Sequence, residues 1–549
     1  MNKTKTAEAA YALFDEFRAA YTAEWERLAK CERLYHGDHW QGVPEKDAGE
    51  PRPVTPVLHS TVENVRADLM DSFPQAIVTA DDPAYAAVAE VLSAALQENH
   101  LRCGFSREYG RLTHDLLVGG YMVQETGYDP ALSGGLGGAF IRQVDPRCIL
   151  FDPLVSDLQE GRAVFKFAPY PRAWFESHYP KEAPAMKADG LGLRPMRDAL
   201  LAARDADTIL LLECWQREYD PETGRHSVHM QKLAGGLLLE DSRQQKPQGY
   251  FAHGEYPFSV TALYPRKGSC LGYGLIDMFE KAQLYSDKLD QILLKNALMA
   301  SHNKLLVTGA SGFDVEDLRD WSKEVHKGEN LNGVTWFPTA PLPAYLVGYV
   351  QSIRESIKQE SGSNDFSRGN VNGGVTAASA IAALQEMSSK RSRLAARAVH
   401  DAFEAAVRQE IEVEREFCIL PRSVALAGAD SKRAHFTAKM LMKETELGNQ
   451  VPLDFNITVK VQRENRFSVA AHNELILGMV RLGMLTADVG MELMLFDSKA
   501  QAQALMQKKL AEMKAEAEAK AAQARPAEEQ KPAQATPIAD ELMGRGAAS

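Results

Sequence analysis

Three groups of side chains in this chain have types and spacings that could do chemistry. Cys31, His36 and His39, followed by Trp40, offer a thiol and two imidazoles, the donor types that zinc takes. The stronger reading is a helix end with packed side chains, where the last turn favours a cationic histidine. Asp145, Asp152 and Asp157 could gather carboxylates around a cation. Asp145-Pro146 and Asp152-Pro153, however, are turn signatures at strand ends. Lys390, Arg393 and Arg397, with Arg391 beside them, recur at helical spacing and present cations on one face. Such a face suits phosphate. It equally suits water, or pairing across a subunit boundary with Glu410, Glu412, Glu414 and Glu416.

The motifs of common enzymes are missing. The sequence holds no GxxxxGK[ST], no GxGxxG behind a strand, no GxSxG and no HExxH, which leaves nucleotide, hydrolase and metalloprotease chemistry without support. No constellation of residues carries catalysis, and no catalytic residue, cofactor or metal is expected. The formal net charge of −12 argues against a protein that grips DNA by neutralising phosphates, though not against one that lets DNA slide past. Six widely spaced cysteines without a CxxC pair argue against a disulfide framework and a zinc ribbon. No long apolar run exists, and the N-terminal residues lack the apolar core of a signal peptide. A cytoplasmic origin without a membrane span is expected.

The elements that must position these residues alternate in character. Phe14, Phe17, Tyr21, Trp25, Leu28 and Tyr35 fall on one face of an amphipathic helix that stops at Gly37. Pro51, Pro53 and Pro56 impose an extended connector, and helices follow over about 57–72, 83–101 and 105–123. Residues 120–265 then read as strand-rich, with strands at 163–167, 208–217, 226–233 and 237–240. Residues 172–204 look helical but carry Pro180, Pro184 and Pro195. Near the C-terminus, helices are expected at about 468–482 and 486–495, a further helical stretch to about 523, and a disordered tail.

The segment from Tyr273 to Cys418 holds the longest helices and the most unusual loops. From Leu289 to Ala300 the first helix becomes apolar nearly all round, as a helix does when it is buried on all sides. Either it is central to a monomer's core, or it packs on its own subunit and a neighbour. Residues 304–343 form a small insertion in which Lys304–Thr308 and Val334–Phe337 pair around a helix, Val315–His326. Its exposed edges either pack on its own domain or accept a neighbour's strands. After a second helix comes a Gly/Asn/Ser-rich loop, SGSNDFSRGNVNGGVT, of a length usually functional or disordered. The third helix carries an expected apolar stripe at Leu384, Met387, Leu394, Ala398, Phe403, Val407 and Ile411.

Several of these segments, in order, resemble tailed-bacteriophage portal (head–tail connector) proteins. LYHGDHW after the aromatic helix is similar to that family's early tyrosine–glycine–aspartate–tryptophan element. PVLHSTVENVRADLMDSFPQAIV, with Asn64 central, resembles its helix leading to a proline-containing strand, and DPRCILFDP its strand-turn element. SGSNDFSRGN before AASAIAALQE resembles its loop and crown-helix start, and VQRENRFSVAAHNELILGMVRLGMLTADVGMELMLF its C-terminal segment.

The resemblance implies an α+β, portal-type fold with long stem and crown helices, a β-rich wing and a small αβ clip, assembled as a ring of about twelve copies. Residues 1–271 would be N-terminal helices and wing, 272–302 the first stem helix, 303–343 the clip and 344–361 the second stem helix. Residues 362–377 would be the tunnel loop, 378–455 the long helix of wing and crown, 456–523 the crown and 524–549 the tail. It implies double-stranded DNA in the channel, with Asn364, Arg368, Asn370 and Asn372 facing it. Implied partners are terminase, adaptor or head-completion proteins, and capsid or scaffolding protein, at the capsid vertex of a virion assembled in host cytoplasm. The alternatives are another ring or coat component of a virion, or an enzyme whose site no motif reveals.

Overall fold

The structure, a computed structural model, describes residues 3–44, 50–188, 207–221, 224–301, 304–320, 322–336, 343–361, 390–426, 433–444, 450–463, 466–484, and singly 490 and 494. The chain divides into two compact units, one of residues 1–427 and 431–464, the other of 428–430 and 465–549.

The first unit opens with α1 (Lys3–Tyr35), which buries Phe14, Phe17, Tyr21, Trp25 and Leu28 at the expected spacing. It ends where Gly37 adopts a positive φ of 85°, a conformation glycine takes without a Cβ penalty. The proline connector leads into α2 (Val57–Met70) and β1 (Ser72–Ala80). Next come α3 (Ala86–Cys103) and α4 (Phe105–Val118), joined through Gly104 alone. Four of these elements match the expected helices; α4 is the shorter, because Gly119-Gly120 ends it and β2 (Tyr121–Asp129) starts at once.

After β2 come β3 (Gly138–Val144), β4 (Ile149–Phe151), β5 (Ala163–Pro171), a short α5 (Arg172–His178), β6 (Thr208–Asp220), β7 (Arg225–Ala234) and β8 (Leu237–Asp241). Of the expected helical stretch 172–204, residues 189–204 lie outside the described residues; in the described part the helix ends at His178, just before Pro180. Strands β4 to β8 form an antiparallel meander in chain order. α1 covers it, and Phe14 and Phe17 meet the rings of Phe165 and Phe167 edge-on at 5.3–5.6 Å, a favoured aromatic geometry. β9 (Phe258–Ala262) joins β2 and β3 in a second sheet of order β3-β2-β9. Short β10 (Tyr264–Pro265) and β11 (Gly272–Tyr273) pair just before the next long helix.

That helix is α6 (Leu275–Ser301). Its start crosses the end of α4 with no side chain between the two backbones. A Cβ on Gly274 would lie 2.6 Å from the Leu117 carbonyl oxygen, and one on Gly120 would lie 2.3 Å from the Tyr273 carbonyl carbon. Only glycine permits this approach.

Beyond α6, β12 (Leu305–Val307) and β13 (Val334–Trp336) pair antiparallel as expected. The helix between them, α7 (Val315–Arg319), is far shorter than the expected Val315–His326. The Asp320 carboxylate accepts from the Ser322 amide at 3.0 Å, a local bond that competes with helix continuation. α8 (Tyr345–Ser361) then packs on α6, and α9 (Lys390–Phe417) crosses the second sheet. The buried stripe of α9 runs through Ala395, Val399, Phe403, Val407 and Ile411. Phe403, Val407 and Ile411 were expected there, but Leu394 is 56% exposed, because Ala395 and Val399 turn inward instead. Leu384 and Met387 lie outside the described residues.

Two ribbons follow, β14 (Arg422–Ala425) with β15 (Arg433–Phe436), and β16 (Met442–Glu444) with β17 (Gln450–Pro452). β18 (Phe455–Arg463) returns to pair with β1 along its whole length, Ala80 opposite Phe455 and Ser72 opposite Arg463. Of the second unit, α10 (Arg466–Arg481) is described, at the expected place, with Leu482 and Met484 exposed after it. The helix expected at 486–495 and all later residues lie outside the described set, apart from 490 and 494.

Candidate functional site

The helix pair α6–α8 is fastened from within by polar groups. The buried face of α6 carries Gln283, Ser286, Asp287 and Gln291, all under 5% exposed. Gln283 donates to the Thr55 carbonyl at 2.7 Å and accepts from the Leu58 amide at 3.3 Å. Asp287 takes the Thr55 amide at 3.2 Å on one oxygen and the His39 Nδ1 at 2.6 Å on the other. Gln291 reaches the Pro51 carbonyl at 2.9 Å. The proline connector cannot supply a full set of ladder partners, so side chains of α6 satisfy its backbone. From α8, Arg354 donates to Ser286 and Thr55, each at 3.1 Å, and forms an ion pair with Asp290.

Nearer the start of α6, Asp277 caps it by accepting from the Gly274 amide at 2.8 Å and pairs with Arg27 of α1. Arg27 also bonds Glu24 and the Gly119 carbonyl, each at 2.6 Å. Burial disfavours the charged form of His39, yet its bond to the Asp287 carboxylate outweighs this and holds its pKa above the ordinary value. This seam links α1, the connector, α6 and α8.

The opposite side of the pair is apolar and open. Met278, Tyr285, Ile292, Leu294, Leu298 and Met299 of α6 are exposed, as are Tyr345, Val347 and Tyr349 of α8. The polarity of an ordinary surface helix is thus reversed, with amides and carboxylates inside and large apolar groups outside. Leu289–Ala300 is therefore not enclosed on all sides among the described residues, as a central core helix would be. One face of the helix packs on the connector and α8 and the other is exposed among the described residues, a patch of the kind that marks interaction sites.

The cationic face of α9 is only partly described. Arg393 is exposed, Arg397 lies 4.0 Å from Asp401 with both side chains mostly in water, and Lys390 begins the helix. Asn364, Arg368, Asn370 and Asn372 lie outside the described residues.

The acids that sequence offered as cross-subunit partners are engaged within the chain. Glu410 and Glu414 are fully buried. His100 meets Glu410 at 2.8 Å, Asn99 bridges both carboxylates at 3.1 and 2.7 Å, and Arg422 pairs with Glu414 at 2.7 Å. The Ala139 amide donates to Glu414 at 3.0 Å. Glu416 takes Lys246 at 3.0 Å, and Glu412 pairs with Arg415. Most of these partners come from residues far away in sequence, so no local pattern could have shown this.

The remaining candidates separate. Cys31 Sγ faces Asp277 at 3.5 Å, His36 faces Glu32 at 3.6 Å and His39 faces Asp287, so the three donors do not converge. Among the described residues no cluster of metal-ligating side chains forms. Asp145, Asp152 and Asp157 accept from the amides of Arg147, Leu154 and Gln159, the turn role expected of Asp145 and Asp152. All six cysteines are free thiols, and among the described residues no helix is long and apolar enough to cross a membrane.

Comparison with known proteins bears on the N-terminal part of the chain. Residues 12–256, from within α1 to just before β9, match the family model of the phage P22-like portal protein. No curated protein matches the chain. The matched span takes in the aromatic helix, the Asn64 helix and both sheets' founding strands, where three of the resembling elements lie. Across residues 12–256 the chain is therefore related to the phage P22-like portal proteins, as the resemblance implied.

Proposed function

We propose that this chain is the subunit of a phage portal ring at a capsid vertex, through which double-stranded DNA is packaged and later ejected. The portal-family match over residues 12–256 carries the reading. The uncovered apolar side of α6 and α8 supports it, because a closed ring gives each copy a neighbour to cover such a face. Portal proteins are a structural family without enzymatic activity. DNA movement in this reading needs an external ATP-driven motor, the terminase.

In this reading α6 and α8 form the stem, and the β12–β13 ribbon belongs to the clip that docks terminase and, later, adaptor or head-completion proteins. The ribbon has two strands, with Leu306 and Trp336 exposed, so its edges are open to strands from a neighbour. Asn364, Arg368, Asn370 and Asn372 are proposed to face DNA in the tunnel loop, and Lys390, Arg393 and Arg397 to supply cations near it. Capsid or scaffolding protein would contact the assembled ring. A different virion ring or coat component would share the uncovered helix face, and the family match favours the portal.

Native mass spectrometry and negative-stain imaging of the purified protein test the proposal. The expected result is a ring whose mass is a multiple of 60.6 kDa, with an axial hole wide enough for duplex DNA. A chain that stays monomeric at high concentration and with its scaffold present would overturn it.

A further inference from the structure

A groove of about 1150 Å³ lies between β9 and β18, with α9 as its floor. Ala398, Asp401, Ala405, Arg408, Glu412 and Arg415 line it at intervals of three and four, so one stripe of the helix forms the floor. The two alanines leave room above the helix.

Both walls are strand edges, each with backbone groups that no neighbouring strand takes up among the described residues. The register of β9 on β2 and the bonds Leu263 N–H to Gly120 O and Thr126 N–H to Pro257 O place the odd-numbered residues of β9 in the ladder. Phe258, Val260 and Ala262 therefore turn their N–H and C=O groups away from β2. Gln159 donates to the Phe258 carbonyl at 3.4 Å; Val260 and Ala262 have no such partner among the described residues. On the other wall, Val78 of β1 exchanges hydrogen bonds with Ser93 Oγ at 2.9 and 3.3 Å. Val78 therefore turns away from β18, and its cross-strand mate Ile457 turns its backbone groups to the outer edge of β18.

Side chains along the groove repeat the pattern. Gln409 is 9% exposed, donates to the Tyr256 carbonyl at 3.0 Å, and leaves its Oε1 buried without a partner among the described residues. Ser259 Oγ and Arg415 Nε are in the same state. Buried polar atoms are seldom left unbonded. The lining is also acidic, with five carboxylates (Asp157, Glu255, Asp401, Glu412 and Asp454) against the guanidinium groups of Arg408 and Arg415.

We propose that this groove receives an extended, cationic polypeptide segment of another protein, added as a strand to the Val260 and Ala262 edge of β9 with Ile457 on the facing wall. The open edges supply main-chain hydrogen bonds and the carboxylates select positive side chains. The five residues of β9 span about 17 Å, so a segment of similar length saturates the edge. The inference does not depend on the ring: it concerns a face distinct from α6 and α8.

The test uses the full-length protein and a fluorescein-labelled peptide of about eight residues alternating valine and lysine, enough to cover β9. Fluorescence anisotropy is read against the same peptide N-methylated at alternate amides, which keeps charge but removes donors. Saturable binding is expected, weakened about tenfold or more by N-methylation. Val260→Pro should weaken it equally, since proline is tolerated where an edge N–H faces outward but offers no donor. Equal binding of both peptides would mean mere attraction to an acidic chain and would overturn the proposal, as would no binding. The peptide pair discriminates between these outcomes even where Val260→Pro fails to fold. Slow hydrogen exchange at Val260 and Ala262 in the protein assembled alone would assign the groove to a second copy, which also overturns it.

Discussion

Asp115 has a carboxyl that burial pushes up to about 8, reinforced by the nearby Asp145 and Glu32 and opposed by a hydrogen bond from Gln143. In an unfolded chain the same group ionises near an ordinary pKa of about 4. A raised folded value means that the unfolded state gives up its proton first. The contribution of Asp115 to stability is full below about pH 4 and is lost as pH rises through about 8. Asp115→Asn, which still offers Gln143 an acceptor, is expected to abolish that loss. Its melting temperature should exceed wild type increasingly from about pH 5 to 9, measured by differential scanning fluorimetry; parallel curves would refute the assignment. A second residue-scale expectation concerns Arg422, whose removal would leave Glu414 buried without its counter-charge. Arg422→Met is expected to cost about 3–5 kcal/mol, read from the urea midpoint. A loss below about 1 kcal/mol, the scale of a surface pair, would show that Asn99 and the Ala139 amide suffice.

At the scale of elements, α6 in the proposed ring would separate folding from association. Its inner face is held by hydrogen bonds to the proline connector and α8, while its outer face holds Ile292, Leu294, Leu298 and Met299 in the open. Leu294→Lys with Leu298→Lys should therefore shift the stability of the isolated chain by no more than about 0.5 kcal/mol yet prevent oligomer formation in native mass spectrometry. Oligomers that persist would place the contact elsewhere. The two faces also show what sequence could reveal. Periodicity disclosed the helix and its excess of apolar residues, because that signal is local. It could not disclose the seam, whose partners Thr55, His39 and Pro51 lie more than two hundred residues away. The same reason hid the pairing of β1 with β18 and the burial of Glu410 and Glu414. Periodicity overstates α7, because Ser322 and Asp320 form a local turn that a helical pattern does not register.

For the molecule as a whole, the portal reading separates the roles of its parts. Deleting residues 365–373 is expected to leave ring assembly intact and to impair DNA packaging or retention, measured as nuclease-protected DNA per particle. Rings that fail to assemble would make that loop an interface between subunits. The crossing of Gly120 and Gly274 has a mechanical consequence. A packed side-chain contact yields to a push by changing rotamer, but here main chain bears directly on main chain. Thrust along α6 would reach the last turn of α4 without a cushion and could be relieved only by breaking bonds such as Gly119 N–H to Asp115 O and Leu263 N–H to Gly120 O. The joint is expected to act as a stiff fulcrum, since a side chain added at either glycine would have to prise the two backbone segments apart.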